Sequence, residues 1–149
     1  MVQRDDLLGP LLIPQAAQTE GNFIVDPNAL QHVFIAEGDA AAAILQLFEE
    51  SGHDIHGRVI VVYAETSPDS VWFVSALGDL PIDSLHTFPS IIAALSRLGI
   101  ILPCSPINTR IYAAGSDTLI TLILQLAVAC GRDAQSVMIS RISPQAPTD

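Results

Sequence analysis

Residues 32–51 read HVFIAEGDAAAAILQLFEES, and this stretch decides the fold class. Residues 32–36 predict a strand, because Val, Phe and Ile are favoured in strands. Residues 40–51 are rich in alanine and leucine and predict a helix, for which Asp39 is the expected N-cap. The stretch is therefore predicted to be a strand that turns at Gly38 directly into a helix.

The same alternation continues along the chain. Residues 58–64, RVIVVYA, form a continuous β-branched run, which is typical of a strand buried on both faces of a parallel sheet. Three further strands are predicted over residues 71–76, 110–114 and 137–142, and residues 77–87 are predicted to be a loop. Helices are predicted over residues 90–98 and 117–130. The N-cap of the second of these helices is expected to be Ser116 or Asp117. This order predicts an α/β fold of three-layer Rossmann-like type, with a mostly parallel sheet of about five strands.

The length of the chain, 149 residues, fits one domain, since domains run to roughly 100–200 residues. Residues 1–21 contain Pro10 and Pro14 and are predicted to form an N-terminal arm. Residues 22–142 are predicted to form a single α/β nucleotide-binding-like domain, and residues 143–149 a flexible tail.

Composition argues against several classes of function. The chain has 16 acidic residues, 6 arginines, no lysine and a formal net charge of −10. Nucleic-acid binding needs clustered cations and a P-loop needs a lysine, so we expect neither. The most apolar stretch, residues 119–130, is shorter than the roughly 20 residues of a membrane span. Acids near the N-terminus do not fit a signal peptide, so we expect a cytoplasmic protein without a membrane partner.

Residue types that serve in catalysis or metal binding form no recognisable motif. Cys104 and Cys130 match no disulfide framework or zinc motif and are expected to be buried free thiols. The cluster His53-Asp54-Ile55-His56 lacks a third ligand, so no metal is predicted. His32 and His86 are expected to be isolated surface histidines. Without a GxSxG motif or a recognisable Cys–His pair, the catalytic residues remain unknown.

Two loops are the candidate binding site. Ligands of open parallel sheets bind beyond the carboxyl ends of the strands, and two predicted strands end in glycine turns that open helices: Glu37-Gly38-Asp39-Ala40 and Ala114-Gly115-Ser116-Asp117. A purely structural turn explains each glycine equally well. The aspartates also oppose an anion at these helix starts, so a phosphate would need help from Arg110, Arg141 or the Ser116 hydroxyl.

Two further features each have two interpretations. Glu65 ends the second predicted strand, 27 positions after Gly38, where an acid could bind ribose hydroxyls. The usual spacing is about 20, so a solvated loop acid is the favoured interpretation. The helix over residues 117–130 is apolar almost all round, which predicts a core helix or, alternatively, a homodimer interface.

Two segments carry a resemblance to a known family. They are residues 23–47, FIVDPNALQHVFIAEGDAAAAILQL, and residues 110–140, RIYAAGSDTLITLILQLAVACGRDAQSVMIS. The first keeps Asp26-Pro27 and Gly38-Asp39, and the second keeps Tyr112-Ala113-Ala114-Gly115. Together they resemble the C-terminal domain of siderophore-interacting proteins, which belong to the ferredoxin-reductase-like flavoproteins.

The resemblance implies an iron-releasing reductase. In that family a β-barrel holds FAD, the C-terminal domain receives NADPH or NADH, and electrons pass through the flavin to a ferric siderophore. No FAD barrel is expected in this chain, so the resemblance implies a separate flavoprotein partner. It places Gly38, Asp39 and Ala40 beside the nicotinamide and pyrophosphate, Gly115 and Ser116 across the crevice, and Arg141 as a cation. The alanine run of residues 40–43 departs from the family pattern.

Two functions follow as expectations. The first is a stand-alone NAD(P)H-binding part of a ferric-siderophore or flavin reductase system. The second is a non-catalytic structural or regulatory subunit, such as a homodimer, that keeps the fold but has lost nucleotide binding.

Overall fold

A parallel sheet forms the centre of the molecule. The computed structural model describes residues 23–141. Its strands are β1 (Gln31–Glu37), β2 (Arg58–Ala64), β3 (Ser84–Phe88), β4 (Thr109–Gly115) and β5 (Val137–Arg141). All neighbouring strands pair in parallel, in the order β3-β2-β1-β4-β5. The predicted α/β class and five-stranded parallel sheet are confirmed.

In the described part of the chain, four α-helices cover the two faces of the sheet: α1 (Ala42–Ser51), α2 (Ser70–Gly78), α3 (Ile91–Ile101) and α4 (Asp117–Ala129). Alternate residues of β1 point to opposite faces, as the pleat of a strand requires. Phe34 and Ala36 face the core under α1 and α2, whereas Val33 and Ile35 face the core under α3 and α4. The result is the predicted three-layer arrangement.

The central strands form where the sequence is most apolar. All seven residues of β1 are buried, and in β2 only Arg58 is exposed. These strands pair from Gln31 with Arg58 to Glu37 with Ala64. A strand covered on both faces needs a continuous apolar run, and both segments supply one.

The third strand was predicted in the wrong place. Residues 71–76 lie in helix α2, and strand β3 lies inside the segment predicted as a loop. The segment has β-prone residues, but Phe73 and Leu77, one helical turn apart, are buried beneath the helix. This packing outweighs local propensity. Strand β3, SLHTF, lies at the sheet edge and lacks the apolar run that identifies a central strand.

Several local expectations are tested at single residues. The Ser116 hydroxyl accepts a hydrogen bond from the Leu119 N–H at 3.3 Å, which confirms the predicted cap of α4. Asp39 caps no helix; its carboxylate accepts a hydrogen bond from the Ser67 hydroxyl instead. Cys104 is exposed and Cys130 half-buried, so the expectation of two buried thiols was wrong. The predicted arm and tail lie outside the described residues.

His32 is buried rather than on the surface, with 1% of the residue exposed. Its Nε2 lies 2.9 Å from the His56 carbonyl oxygen, and its Nδ1 lies 2.8 Å from the Tyr112 hydroxyl. That hydroxyl also accepts the Asp26 N–H at 3.2 Å. A neutral imidazole satisfies all of these partners, with Nε2 donating and Nδ1 accepting. Burial lowers the pKa of His32 and raises the pKa of Tyr112 to about 12.

Helix α4 is mainly a core helix, as predicted. Leu119, Ile120, Ile123, Leu124 and Ala127 are buried against the sheet and α3. Within residues 23–141, no helix is long and apolar enough to cross a membrane.

Candidate functional site

The strand order identifies one switch point on the sheet. From β1 the chain moves outward through β2 and β3, and it then returns to the other side of β1 to form β4 and β5. Ligands of doubly wound sheets bind in the crevice at such a point, beyond the carboxyl ends of the two strands. Here those ends are Glu37 on β1 and Gly115 on β4. The site in question therefore lies between these two residues.

The structure brings most of the predicted site residues to this edge. Ala36 pairs with Ala114 across β1 and β4, so Glu37 and Gly38 lie beside Gly115 and Ser116. Asp39 and Ala40 continue into a short 3₁₀ turn, Gly38–Ala41. Arg141 is paired with Gly115 on the far side of β4. Glu65 follows the end of β2 and is exposed.

The two sides of the crevice are joined by a hydrogen-bonded bridge. One carboxylate oxygen of Glu37, Oε2, accepts the Ser116 N–H at 2.8 Å and the Ser116 hydroxyl at 2.6 Å. Glu37 has the same strand parity as Val33 and Ile35, so its side chain points to the face that carries α4. Only 8% of Glu37 is exposed. A carboxylate from β1 therefore occupies the start of α4, where free N–H groups and the helix dipole favour an anion.

Gly115 is needed because the Glu37 side chain lies against it. A Cβ at Gly115 would lie 2.8 Å from Glu37 Oε2, 2.9 Å from Glu37 Cγ and 2.7 Å from a methyl group of Leu119. The space that glycine leaves is thus taken by side chains of the chain itself. The sequence left open whether this glycine admits a ligand or serves a purely structural turn; in the structure it admits the Glu37 side chain.

The space around the turn after β1 is also filled by side chains of the protein. Gly38 has φ +52°, a conformation that favours glycine, and a Cβ there would lie 3.0 Å from Thr66 Oγ1 and 3.2 Å from Ser67 Cβ. Its carbonyl oxygen accepts the Tyr63 hydroxyl at 2.9 Å. The Ser67 hydroxyl donates to Asp39 at 2.5 Å. The loop after β2 therefore packs directly on the turn.

The charge at this edge is unfavourable for a phosphate. The carboxylates of Glu37, Asp39, Glu65 and Asp117 all lie on segments that follow or end strands β1, β2 and β4. The cation that was expected to help, Arg141, has its Nε 2.8 Å from an Asp117 carboxylate oxygen. Its charge is offset by that partner, which reduces its attraction for an anionic ligand.

A dinucleotide pyrophosphate would meet the Glu37 carboxylate at the start of α4. It would have to displace the Glu37 carboxylate from Ser116 and then bind among the remaining carboxylates. Most of the predicted residues thus come together, and two of them, Glu37 and Ser116, are hydrogen-bonded to each other across the crevice. Among residues 23–141, no three or more His, Cys, Asp or Glu side chains are grouped so that they could hold a metal ion.

Sequence reasoning located this edge but missed its central contact. Glu37 was predicted as a cofactor-binding residue, and its hydrogen bond with Ser116, 79 positions away, was not predicted. A usable signal was present, because an acid at one strand end and a serine after the glycine of another can meet if the two strands are neighbours. The missing information was that β1 and β4 pair.

The fold and this edge define a Rossmann-like domain with a bridged switch-point crevice. The chain belongs to the family described as dimethylamine monooxygenase subunit DmmA-like, N-terminal domain, whose family model matches residues 16–137. No curated protein matches the chain. The family supports the expected relation to ferredoxin-reductase-like proteins in coarse terms, but it shows neither a siderophore-interacting protein nor NAD(P)H binding.

Proposed function

We propose that this chain is a non-catalytic subunit domain of a multicomponent oxidoreductase of the monooxygenase type, acting through a separate flavoprotein partner. The family description, which names a monooxygenase subunit, supports the assignment to such a system. The closed switch point supports the second of the two functions expected from the sequence, in which the domain keeps the fold without binding a nucleotide.

One observation carries this proposal, namely the bridge from Glu37 to Ser116. Hydrogen bonds to a charged group stabilise a protein by roughly 1.5–3 kcal/mol each, so an incoming phosphate would have to break two favourable hydrogen bonds. It would also have to approach a chain with a formal net charge of −10. Both effects oppose NAD(P)H at the place where this fold would otherwise bind it.

NAD(P)H binding is the second candidate function. It is favoured by the convergence of Glu37, Gly38, Gly115 and Ser116 at the switch point, which is where dinucleotides bind in related folds. It requires the Glu37 side chain to rotate away from Ser116. A siderophore-linked role is a narrower version of this candidate, and it is supported only by the short motifs that resemble that family. The acidic edge disfavours an anionic ferric siderophore as well.

Calorimetric titration with NADPH and NADH separates the two candidates. The proposal predicts no saturable heat up to about 1 mM nucleotide, a limit that corresponds to about −4.1 kcal/mol of binding free energy. Saturable binding in the micromolar range would replace the proposal with the second candidate.

The partner half of the proposal is tested by isolating the tagged chain from its own host under mild conditions. The expected result is co-elution with a protein whose visible absorbance identifies a bound flavin. The NADPH oxidation or oxygenation rate of that protein should then change when the chain is removed. Elution of the chain alone, or an unchanged rate after its removal, would contradict a subunit role.

A further inference from the structure

An open apolar groove lies between α1 and α2, on the face of the sheet opposite α4. Trp72, the single tryptophan of the chain, lines this groove and is 61% exposed. The residue before it, Val71, is 80% exposed. Large exposed apolar side chains in adjacent positions are characteristic of surfaces that bind other proteins.

The groove has an extended shape suited to a peptide segment. Its first part has a volume of about 690 Å³ and is lined by Leu45, Trp72 and Phe73. A second part of about 380 Å³ adjoins it, shares Leu45 and Glu49 with it, and continues to Leu80 and Pro81. The Trp72 ring is held edge-on against the Phe73 ring, with 5.1 Å between the centroids. An aromatic side chain at one end and apolar side chains beyond it can contact successive apolar side chains of a ligand.

The charge of the groove defines the chemistry of its ligand. Glu49 and Glu50 line it, and the Gln46 amide donates to the Glu50 carboxylate at 3.1 Å. Among the residues that the structure describes, His53 lines the second part of the groove, with its Nε2 3.6 Å from an Asp54 carboxylate oxygen; no arginine lines either part, and the chain has no lysine. An apolar floor with an acidic rim is complementary to apolar side chains flanked by Lys or Arg.

We propose that this groove, formed by α1 and α2, docks a basic amphipathic segment of a partner protein. A second copy of this chain is a poor occupant, because it would bring the same acidic rim and a net charge of −10. The inference rests on the proposed partner-dependent function for its biological meaning. It places the contact on α1 and α2, away from the switch-point crevice.

The test uses a synthetic amphipathic helix as the probe, with leucines on one face, Lys and Arg on the other, and no tryptophan. A twin peptide carries Glu in place of each Lys and Arg. Binding is followed by the emission of Trp72 and by the anisotropy of a dye on the peptide. We expect saturable binding and a blue shift of Trp72 with the basic peptide, and neither with the acidic twin.

Matched variants locate the binding. Glu49→Gln removes one charge from the groove, and Asp133→Asn removes one charge between α4 and β5. Since exposed charge pairs contribute little individually, Glu49→Gln should weaken binding roughly 1.5- to 5-fold, and Asp133→Asn should leave it unchanged. Trp72→Ala, followed by anisotropy, should weaken binding about 30-fold, because tryptophans that become buried in an interface are frequent hot spots. Thermal unfolding of each variant verifies that it folds.

Three results would overturn the inference: no saturable binding, equal weakening by Glu49→Gln and Asp133→Asn, or unaltered affinity in Trp72→Ala. They differ from a failure of the proposed function. A chain that co-elutes with a flavoprotein but ignores the peptide keeps its function and loses this docking site. A chain that binds the peptide and also binds NADPH keeps the docking site and loses the proposed function.

Discussion

Replacing Glu37 with alanine tests whether the bridge across the crevice stabilises the domain. The substitution removes the two hydrogen bonds that Ser116 donates to Glu37 Oε2, at 2.8 and 2.6 Å. It leaves the Ser116 hydroxyl in place, so the cap on the Leu119 N–H can persist. The substitution therefore removes the link between β1 and α4 and the packing of the Glu37 side chain against Gly115.

The expected cost is about 2–3 kcal/mol. Each hydrogen bond to a charged group contributes roughly 1.5–3 kcal/mol, but both end on the same oxygen and cannot be fully additive. Because Ser116 is only half-buried, water can reach its N–H in the variant and reduce the penalty. A loss of this size is a large part of the 5–15 kcal/mol that typically stabilises a domain.

The measurement is urea unfolding at neutral pH, with Glu65→Ala as the matched control. Glu65 lies on the same edge, after the neighbouring strand, and is exposed, so its removal should change stability by less than about 0.5 kcal/mol. Inorganic phosphate should also raise the melting temperature of Glu37→Ala and not that of the wild type, since the start of α4 is then free for an anion. Equal stability losses in Glu37→Ala and Glu65→Ala would refute the bridge as a stabilising contact.

Two other predictions concern packing and protonation. Gly115→Ala should destabilise the domain by about 1–3 kcal/mol in urea unfolding, because its Cβ would press on the buried Leu119 and on the Glu37 side chain. Gly78→Ala is the control and should not destabilise the domain, since its Cβ meets only a Leu85 methyl group at 4.0 Å. Equal effects of the two substitutions would contradict the close packing at Gly115. Burial lowers the pKa of His32 in the folded chain below the ordinary histidine value of about 6.5. As the pH falls through that value, the unfolded chain therefore binds more protons than the folded chain. Stability should therefore fall as the pH falls from 7 to 5.5, with a steeper slope than in His32→Gln; identical slopes would contradict a buried neutral imidazole.

The central strands could be predicted from the sequence, whereas the edge strand β3 could not. Strands β1 and β2 are buried along almost their whole length, so their apolar runs identify them without knowledge of the rest of the fold. Strand β3 is half-exposed, and its helix neighbour α2 is β-prone by composition. Phe73 and Leu77 of that segment belong to the core, and such a tertiary contact is not visible in local composition.

The location of the candidate site could be predicted from the order of strands and helices, but the hydrogen bond that bridges it could not. Alternating strands and helices were enough to place the ends of β1 and β4 on one edge. Whether a ligand can enter at that edge depends on the contact between Glu37 and Ser116, which are 79 positions apart in the sequence. No local sequence pattern predicts such a contact. The same limit applies to His32, whose burial depends on Tyr112, 80 positions away.

The most direct test of the closed crevice is a titration with NADPH followed by the amide resonances of Gly38, Gly115 and Ser116. If the Glu37 carboxylate fills the anion position at the start of α4, these three resonances should show no saturable change up to about 1 mM nucleotide. Saturable shifts that centre on Ser116 and fit a micromolar dissociation constant would contradict the account. They would mean that the bridge opens readily and that the domain binds a nucleotide.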